Sequence, residues 1–134
     1  MAYVTFQYEA LKKFTLEVFK KMGFNDSESE IISDVLLTSD LYGIESHGMQ
    51  RMVRYYKSAK NGRLVIGAQK EIVHETPLSA VIDGHNGMGQ LLGHYAMNLA
   101  IEKAKKSGVG IVTVRNSNHF GIAGYYAKMA SNEG

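Results

Sequence analysis

The chain has 134 residues, the size of one ordinary domain, and 45% of them are hydrophobic, enough to build a core. A formal charge of +2 is too mild for nucleic acid or an anionic membrane to be the main partner. The absence of cysteine excludes a disulfide scaffold, a thiol nucleophile and thiolate-held zinc or iron–sulfur. Met1-Ala2-Tyr3-Val4-Thr5-Phe6 has no basic region leading into an apolar run, and no apolar run is long enough to span a bilayer. A cytoplasmic location without membrane contact is therefore expected.

Taken in order, Leu11, Phe14, Val18 and Phe19 define the apolar face of a helix over Tyr8 to Met22, which stops at Gly23. A cap-rich segment follows, with Ser27 and Glu30 spaced as a capping box, and Ile31, Ile32, Val35 and Leu36 carry a second helix to about Asp40. After a turn around Gly43, Ser46 reads as the N-cap of a third helix whose stripe is Met49, Met52, Val53 and Tyr56 and whose end is Asn61-Gly62. The pattern changes after Arg63. Ile72 and Val73 lie in a short stretch ending near Pro77, and Ser79 to Asp83 reads as a buried strand with a turn at Gly84. A helix over Leu91 to Lys106 turns Leu92, Tyr95, Ala96, Leu99 and Ala100 inward and Glu102, Lys103, Lys105 and Lys106 outward. Val109 to Val114 is then a strand, apolar enough to be covered on both faces, and strand, helix, strand suggests a crossover unit. A polar turn from Arg115 to Gly121 leads into a last helix over Ile122 to Ser131.

Three segments have side chains suited to chemistry. His47 and Arg51 stand four apart, so a helix would project them from one side, near the positive end of its dipole. Arg51 suits a carboxylate, His47 suits proton transfer near neutral pH, and Ser46 is placed to orient the imidazole. The plain alternative is a capped helix with a surface arginine. Asn116-Ser117-Asn118-His119-Phe120-Gly121 follows a strand and precedes a helix, the junction where α/β sheets bind ligands. Asn118 and His119 can donate to a carbonyl there, and Gly121 would let a ligand approach the backbone; the alternative is a capping turn. Asp83-Gly84-His85-Asn86-Gly87-Met88-Gly89-Gln90 lacks both the dinucleotide fingerprint and the P-loop Lys-Ser/Thr, and reads better as close helix–strand packing. His74, His85 and His94 have no metal-ligand spacing, so no metal site is expected. Lys57 to Arg63 reads as a solvated basic helix end.

Together, Leu41 to Arg51, Asp83-Gly84 with Gly87 to Gln90, and Asn116 to Gly121 resemble the malate/L-lactate dehydrogenase family of the non-Rossmann type. That family includes sulfolactate, ureidoglycolate and diketogulonate enzymes and an imine reductase. The resemblance implies an α/β fold with a three-helix lead-in followed by β and βαβ elements, sulfolactate-dehydrogenase-like and not Rossmann. It implies hydride transfer between NAD or NADP, NAD first, and a small 2-hydroxy or 2-oxo acid. Malate is the first choice of substrate; lactate, sulfolactate, ureidoglycolate or an imine are the alternatives. His47 matches the family's proton donor, Ser46 its hydroxyl neighbour and Arg51 its substrate-carboxylate ligand. His119 matches a proton acceptor of some members, while His119, Phe120, Gly121, Ile122 and Ala123 match a segment lining the cofactor. Which histidine carries the proton stays open. The resemblance further implies a homodimer. It also implies that the chain is an N-terminal portion, with residues 1–62 carrying the Ser-His-Gly-x-x-Arg site and 63–134 beginning a cofactor-binding domain. The rival reading is a truncated, non-catalytic module that binds carboxylates or mediates oligomerisation.

Overall fold

Two phenylalanines from the lead-in anchor the larger core. Phe19, near the end of α1 (Tyr8–Met22), meets Phe24 edge to face at 6.0 Å, just past a left-handed Gly23 that ends the helix. This computed structural model describes residues 4–134; Met1-Ala2-Tyr3, the start of the N-terminal reading, lies outside the described residues. Thr15, not Phe14, points inward: Phe14 is 56% exposed while Thr15 returns its hydroxyl to the Leu11 carbonyl. A polar residue fits there because its own helix satisfies it.

Helix α2 (Asp26–Leu41) is the central helix, with Ile32, Val35, Leu36 and Leu37 all buried. Its capping box is formed by Asn25 and Glu28, each bonding the other's backbone N–H at 2.9 Å, and not by the expected Ser27 and Glu30. Such a cap contributes about 1 kcal/mol.

The third helix departs most from expectation. Glu45–His47 and Met49–Arg51 are two separate 3-10 turns divided at Gly48, and the α-helix α3 (Met52–Lys60) starts only after them. Ser46 therefore caps nothing, and His47 and Arg51 do not share a continuous α-helical face. The cause lies outside the segment. Asp40 accepts from the Met49 N–H at 2.9 Å, and a Cβ at Gly48 would run into that same carboxylate. Register shifts with the break: Tyr55 is buried in place of Tyr56, and Val53 is exposed.

Strands β1 (Glu71–Glu75), β2 (Ser79–Gly87) and β3 (Ile111–Ser117) form one sheet in that order, β1 antiparallel and β3 parallel to β2. β2 runs past the expected turn at Gly84, bending through His85 and Asn86 at positive φ. Helix α4 (Gly89–Ser107) makes the β2–α4–β3 crossover, packs on the sheet and contacts both α2 and α5 (Ala123–Ser131). β3 is not covered on both faces. Val112 and Val114 are half-buried, whereas Ile111, Thr113 and Arg115 are exposed, and Val109 and Gly110 fall outside the strand. Lys103 also departs from its expected outward position. It is buried and donates to Glu75 and to the Thr76 carbonyl, both at 2.8 Å, tying α4 to the β1–β2 hairpin.

The main core joins Phe19, Phe24, Ile32, Leu36, Met52, Tyr55, Leu64 and Met88, so it draws together α1, α2, α3 and the approach to α4. No helix among the described residues is long and apolar enough to cross a membrane. Gly89, at the start of α4, abuts the backbone of the turn after β3: a Cβ there would run into the carbonyl oxygens of Asn118 and His119. Backbone cannot move aside as a side chain can. Gly89→Ala should therefore lose about 1–3 kcal/mol in urea unfolding. Gly124→Ala, where a Cβ meets nothing within 4 Å, should stay within about 1 kcal/mol of the parent.

Candidate active site

β3 runs on through Arg115, Asn116 and Ser117, where a turn was expected, and this strand end and the turn after it are held from two sides. Asp83, buried in the middle of β2, accepts from Arg115 Nε at 2.8 Å, from Asn116 Nδ2 at 3.0 and 2.9 Å, and from the His85 N–H at 3.0 Å. These donors, the His85 N–H first, then Asn116 and Arg115, draw its pKa down to about 2. Asn116 takes a left-handed backbone, φ 50°, to turn its amide onto that carboxylate. Asn118 secures the next step, its Nδ2 facing the carbonyls of Asn86 at 2.7 Å, Gly87 at 3.1 Å and Arg63 at 3.3 Å. Its amide protons are thus engaged with the backbone, and Asn118 is not a free donor for a ligand carbonyl.

Gly121 likewise serves packing. A Cβ there would collide with Val35 of α2, and its φ of 87° favours glycine. Ile122 beside it is buried, whereas Phe120, stacked on Tyr126 at 5.2 Å, and Ala123 are exposed. Phe120 and Ala123 line a groove of about 500 Å³ together with Gly93, Ala96 and Val114.

Fixed in this way, His119 meets the lead-in. Its ring lies 5.2 Å from that of His47 and 5.9 Å from that of Tyr55, whose hydroxyl stands 2.7 Å from His119 Nδ1. Burial, then the charges of Arg51, His47 and Arg54, lower the His119 pKa to about 4, so the imidazole is neutral near pH 7. Its Nε2 is buried with no partner among the described residues. Burial pushes Tyr55 up to about 12, keeping it a phenol.

His47 is half-buried, and its Nδ1 stands 2.9 Å from the Ser46 hydroxyl, the contact expected of that pair. Arg51, also half-buried, donates from Nε to the Ser46 carbonyl, which folds its guanidinium back over the 3-10 turn. The i,i+4 helical relation is thus replaced by a bond from Arg51 to Ser46. Asp40, whose bond to the Met49 N–H supports the turn, has its pKa raised, chiefly by burial. Among the described residues no group of three His, Asp or Glu is placed to hold a metal ion.

The sequence reading missed Tyr55, Gln90, Arg54, Asp40 and Asp83. Two had a visible signal: Asp83 ends an apolar strand, and Gln90 opens an otherwise apolar helical turn. A buried polar group in such a place needs partners.

A family model described as malate/L-lactate dehydrogenase matches residues 6–134. Malate dehydrogenase from Pyrococcus abyssi is 48% identical over 132 residues, covering 98% of this chain and 36% of that protein. L-sulfolactate dehydrogenase from Methanocaldococcus jannaschii is 47% identical over 122 residues, 91% of this chain and 36% of that protein. The solved structure of malate dehydrogenase from Pyrococcus horikoshii superposes with a TM-score of 0.95 at 44% identity, covering 98% of this chain and 38% of that one. The chain belongs to the malate/L-lactate dehydrogenase family, and it spans a little over a third of the length of these relatives.

The two acidic windows separate by residue. A base whose folded pKa is lowered contributes stability that is present above its ordinary value and lost as pH falls through the folded one. For His119 that window runs from 6.5 down to about 4, and for Asp83 from 3.8 down to about 2. Ring NMR of His119 should show a midpoint near 4, and Asp83→Asn should flatten the loss of melting temperature between pH 4 and 2. A His119 midpoint near 6.5 would contradict the buried, positively flanked site.

Proposed function

We propose that this chain carries the substrate side of a nicotinamide-dependent 2-hydroxy-acid dehydrogenase, with malate and oxaloacetate as the first pair to test. The observation that carries this reading is the meeting of His47 and His119, ring centroids 5.2 Å apart, in the field of Arg51 and Arg54. Two guanidinium charges suit a dianionic acid better than a monocarboxylate. The names of the malate and sulfolactate relatives, both enzymes of dianionic acids, support the same choice.

In this reading Arg51 grips the carboxylate next to the reacting carbon, through the guanidinium nitrogens not bonded to Ser46. His47, oriented by the Ser46 hydroxyl, gives its Nε2 proton to the carbonyl oxygen in reduction and takes it back in oxidation. His119, neutral and buried, donates from Nε2 and orients substrate or cofactor without changing its own charge. In this reading His47 is the ring that moves the proton, since burial and the neighbouring charges draw His119 down to about 4.

The cofactor, when bound, supplies or accepts the hydride. The residues present suit its nicotinamide end: Phe120 and Ala123 offer an apolar wall, and the unpartnered His119 Nε2 offers a donor. Gly121 and Ile122 would act through packing behind that wall. NAD is preferred over NADP as the starting cofactor. A cytoplasmic homodimer, with residues 1–62 on the substrate side and 63–134 opening the cofactor side, completes the reading.

Mixing the protein with NADH and then oxaloacetate tests it, with NADH fluorescence as the signal. NADH consumption is expected. Arg51→Ala should raise KM about 10–100-fold, the worth of a charged hydrogen bond. His47→Ala should lower kcat about 10²–10⁴-fold with little change in KM. Unchanged turnover in His47→Ala removes that residue from the chemistry, and oxaloacetate binding without NADH consumption favours the carboxylate-binding module instead.

A further inference from the structure

Gln90 is wholly buried at the start of α4, a place where an apolar residue would pack at no polar cost. Its Nε2 donates to the Tyr55 hydroxyl at 2.8 Å, and its Oε1 has no partner among the described residues. Tyr55 has one proton. Having accepted from Gln90, it directs that proton to His119 Nδ1, 2.7 Å away. The Gly121 N–H also faces Nδ1, at 3.4 Å. A ring nitrogen that accepts from both cannot carry hydrogen, so the ring proton sits on Nε2.

The opposite polarity is chemically complete but physically worse. With the amide turned over, Oε1 would accept from Tyr55, Tyr55 would accept from an Nδ1–H, and the Gly121 N–H would face another N–H. The Gly121 N–H therefore selects the first direction, in which Gln90 donates to Tyr55 and Tyr55 to Nδ1.

We infer that Gln90 is a positioning residue that sets the tautomer of His119 through Tyr55, so that the buried, unpartnered Nε2 carries the proton and is held as a hydrogen-bond donor. Its use in turnover rests on the dehydrogenase reading, but the tautomer does not. Nε2 has no partner among the described residues, so the donor is left for a carbonyl or carboxylate oxygen of the substrate, or the carboxamide oxygen of a nicotinamide. The polarity is inherited along the chain Gln90 to Tyr55 to His119, so residue 90 controls it without touching a ligand.

Long-range ¹⁵N–¹H correlation of the histidine rings reads the tautomer directly in the 134-residue protein at pH 8. The parent should show His119 protonated on Nε2 alone. Gln90→Glu, whose carboxylate only accepts when ionised, should move the proton to Nδ1. Gln90→Met, nearly the same shape with no donor, should bring up an Nδ1–H population beside the Nε2–H form, and it decides the matter if the Glu variant does not fold. An Nδ1–H parent overturns the inference; folded variants in which Nε2–H remains the sole form overturn it too, and leave Gly121 as the determinant. If oxaloacetate elicits no NADH consumption while the tautomer follows residue 90, the dehydrogenase reading fails and this inference stands. Normal turnover with a tautomer indifferent to residue 90 gives the reverse.

Discussion

The contact on which the site depends joins Tyr55 to His119, 64 residues apart in sequence and 2.7 Å apart at the hydroxyl and Nδ1. A single hydrogen bond contributes only about 1 kcal/mol net and cannot by itself hold a helical lead-in against a strand–turn segment. Burial of the ring stabilises the meeting more than the bond does. Tyr55 is 3% exposed in the cluster with Phe19, Ile32, Leu36 and Met52, so the core fixes where the hydroxyl points. On the other side, Asn118 and Asp83 fix the turn that presents His119. Packing places the two groups, and the bond then decides which imidazole nitrogen is free. Stability and chemistry are thus separated between different atoms of the same residues.

Helices whose apolar stripes are local were legible. α1 begins and ends as its periodicity and Gly23 indicated, and β2–α4–β3 forms the crossover that strand, helix, strand implied. Illegible features were those set by a partner distant in the chain. No local rule says that Asp40 will claim the Met49 N–H and press on Gly48, yet that contact splits the third helix and moves its start from Ser46 to Met52. The Ser46–His47 contact survived because adjacent residues make it. The relation of His47 to Arg51 did not, because it assumed an unbroken α-helix through Gly48.

Glycines and asparagines in the motif segments illustrate a second reason. Gly89 and Gly121 carry the resemblance, and both face protein: one the Asn118 and His119 carbonyls, the other Val35. Asn118 likewise spends its amide on three backbone carbonyls. These residues hold His119 in place and leave the ligand to others. Composition alone cannot distinguish a glycine that admits a ligand from one that admits a neighbouring backbone, since both uses require the same missing Cβ.

Two imidazoles 5.2 Å apart, with Arg51 and Arg54 nearby, cannot both carry charge cheaply, because each cation raises the cost of the next. Burial decides which one yields. Burial, with the neighbouring charges, lowers the His119 pKa, and with Nε2 enclosed and Nδ1 engaged by Tyr55 this ring stays neutral near pH 7. An arriving dianion would relieve the positive field on both rings, and by linkage its affinity is greatest where that relief is largest. In the proposed reading this field draws an anion, and the groups that make it are placed by the core and the clamped turn.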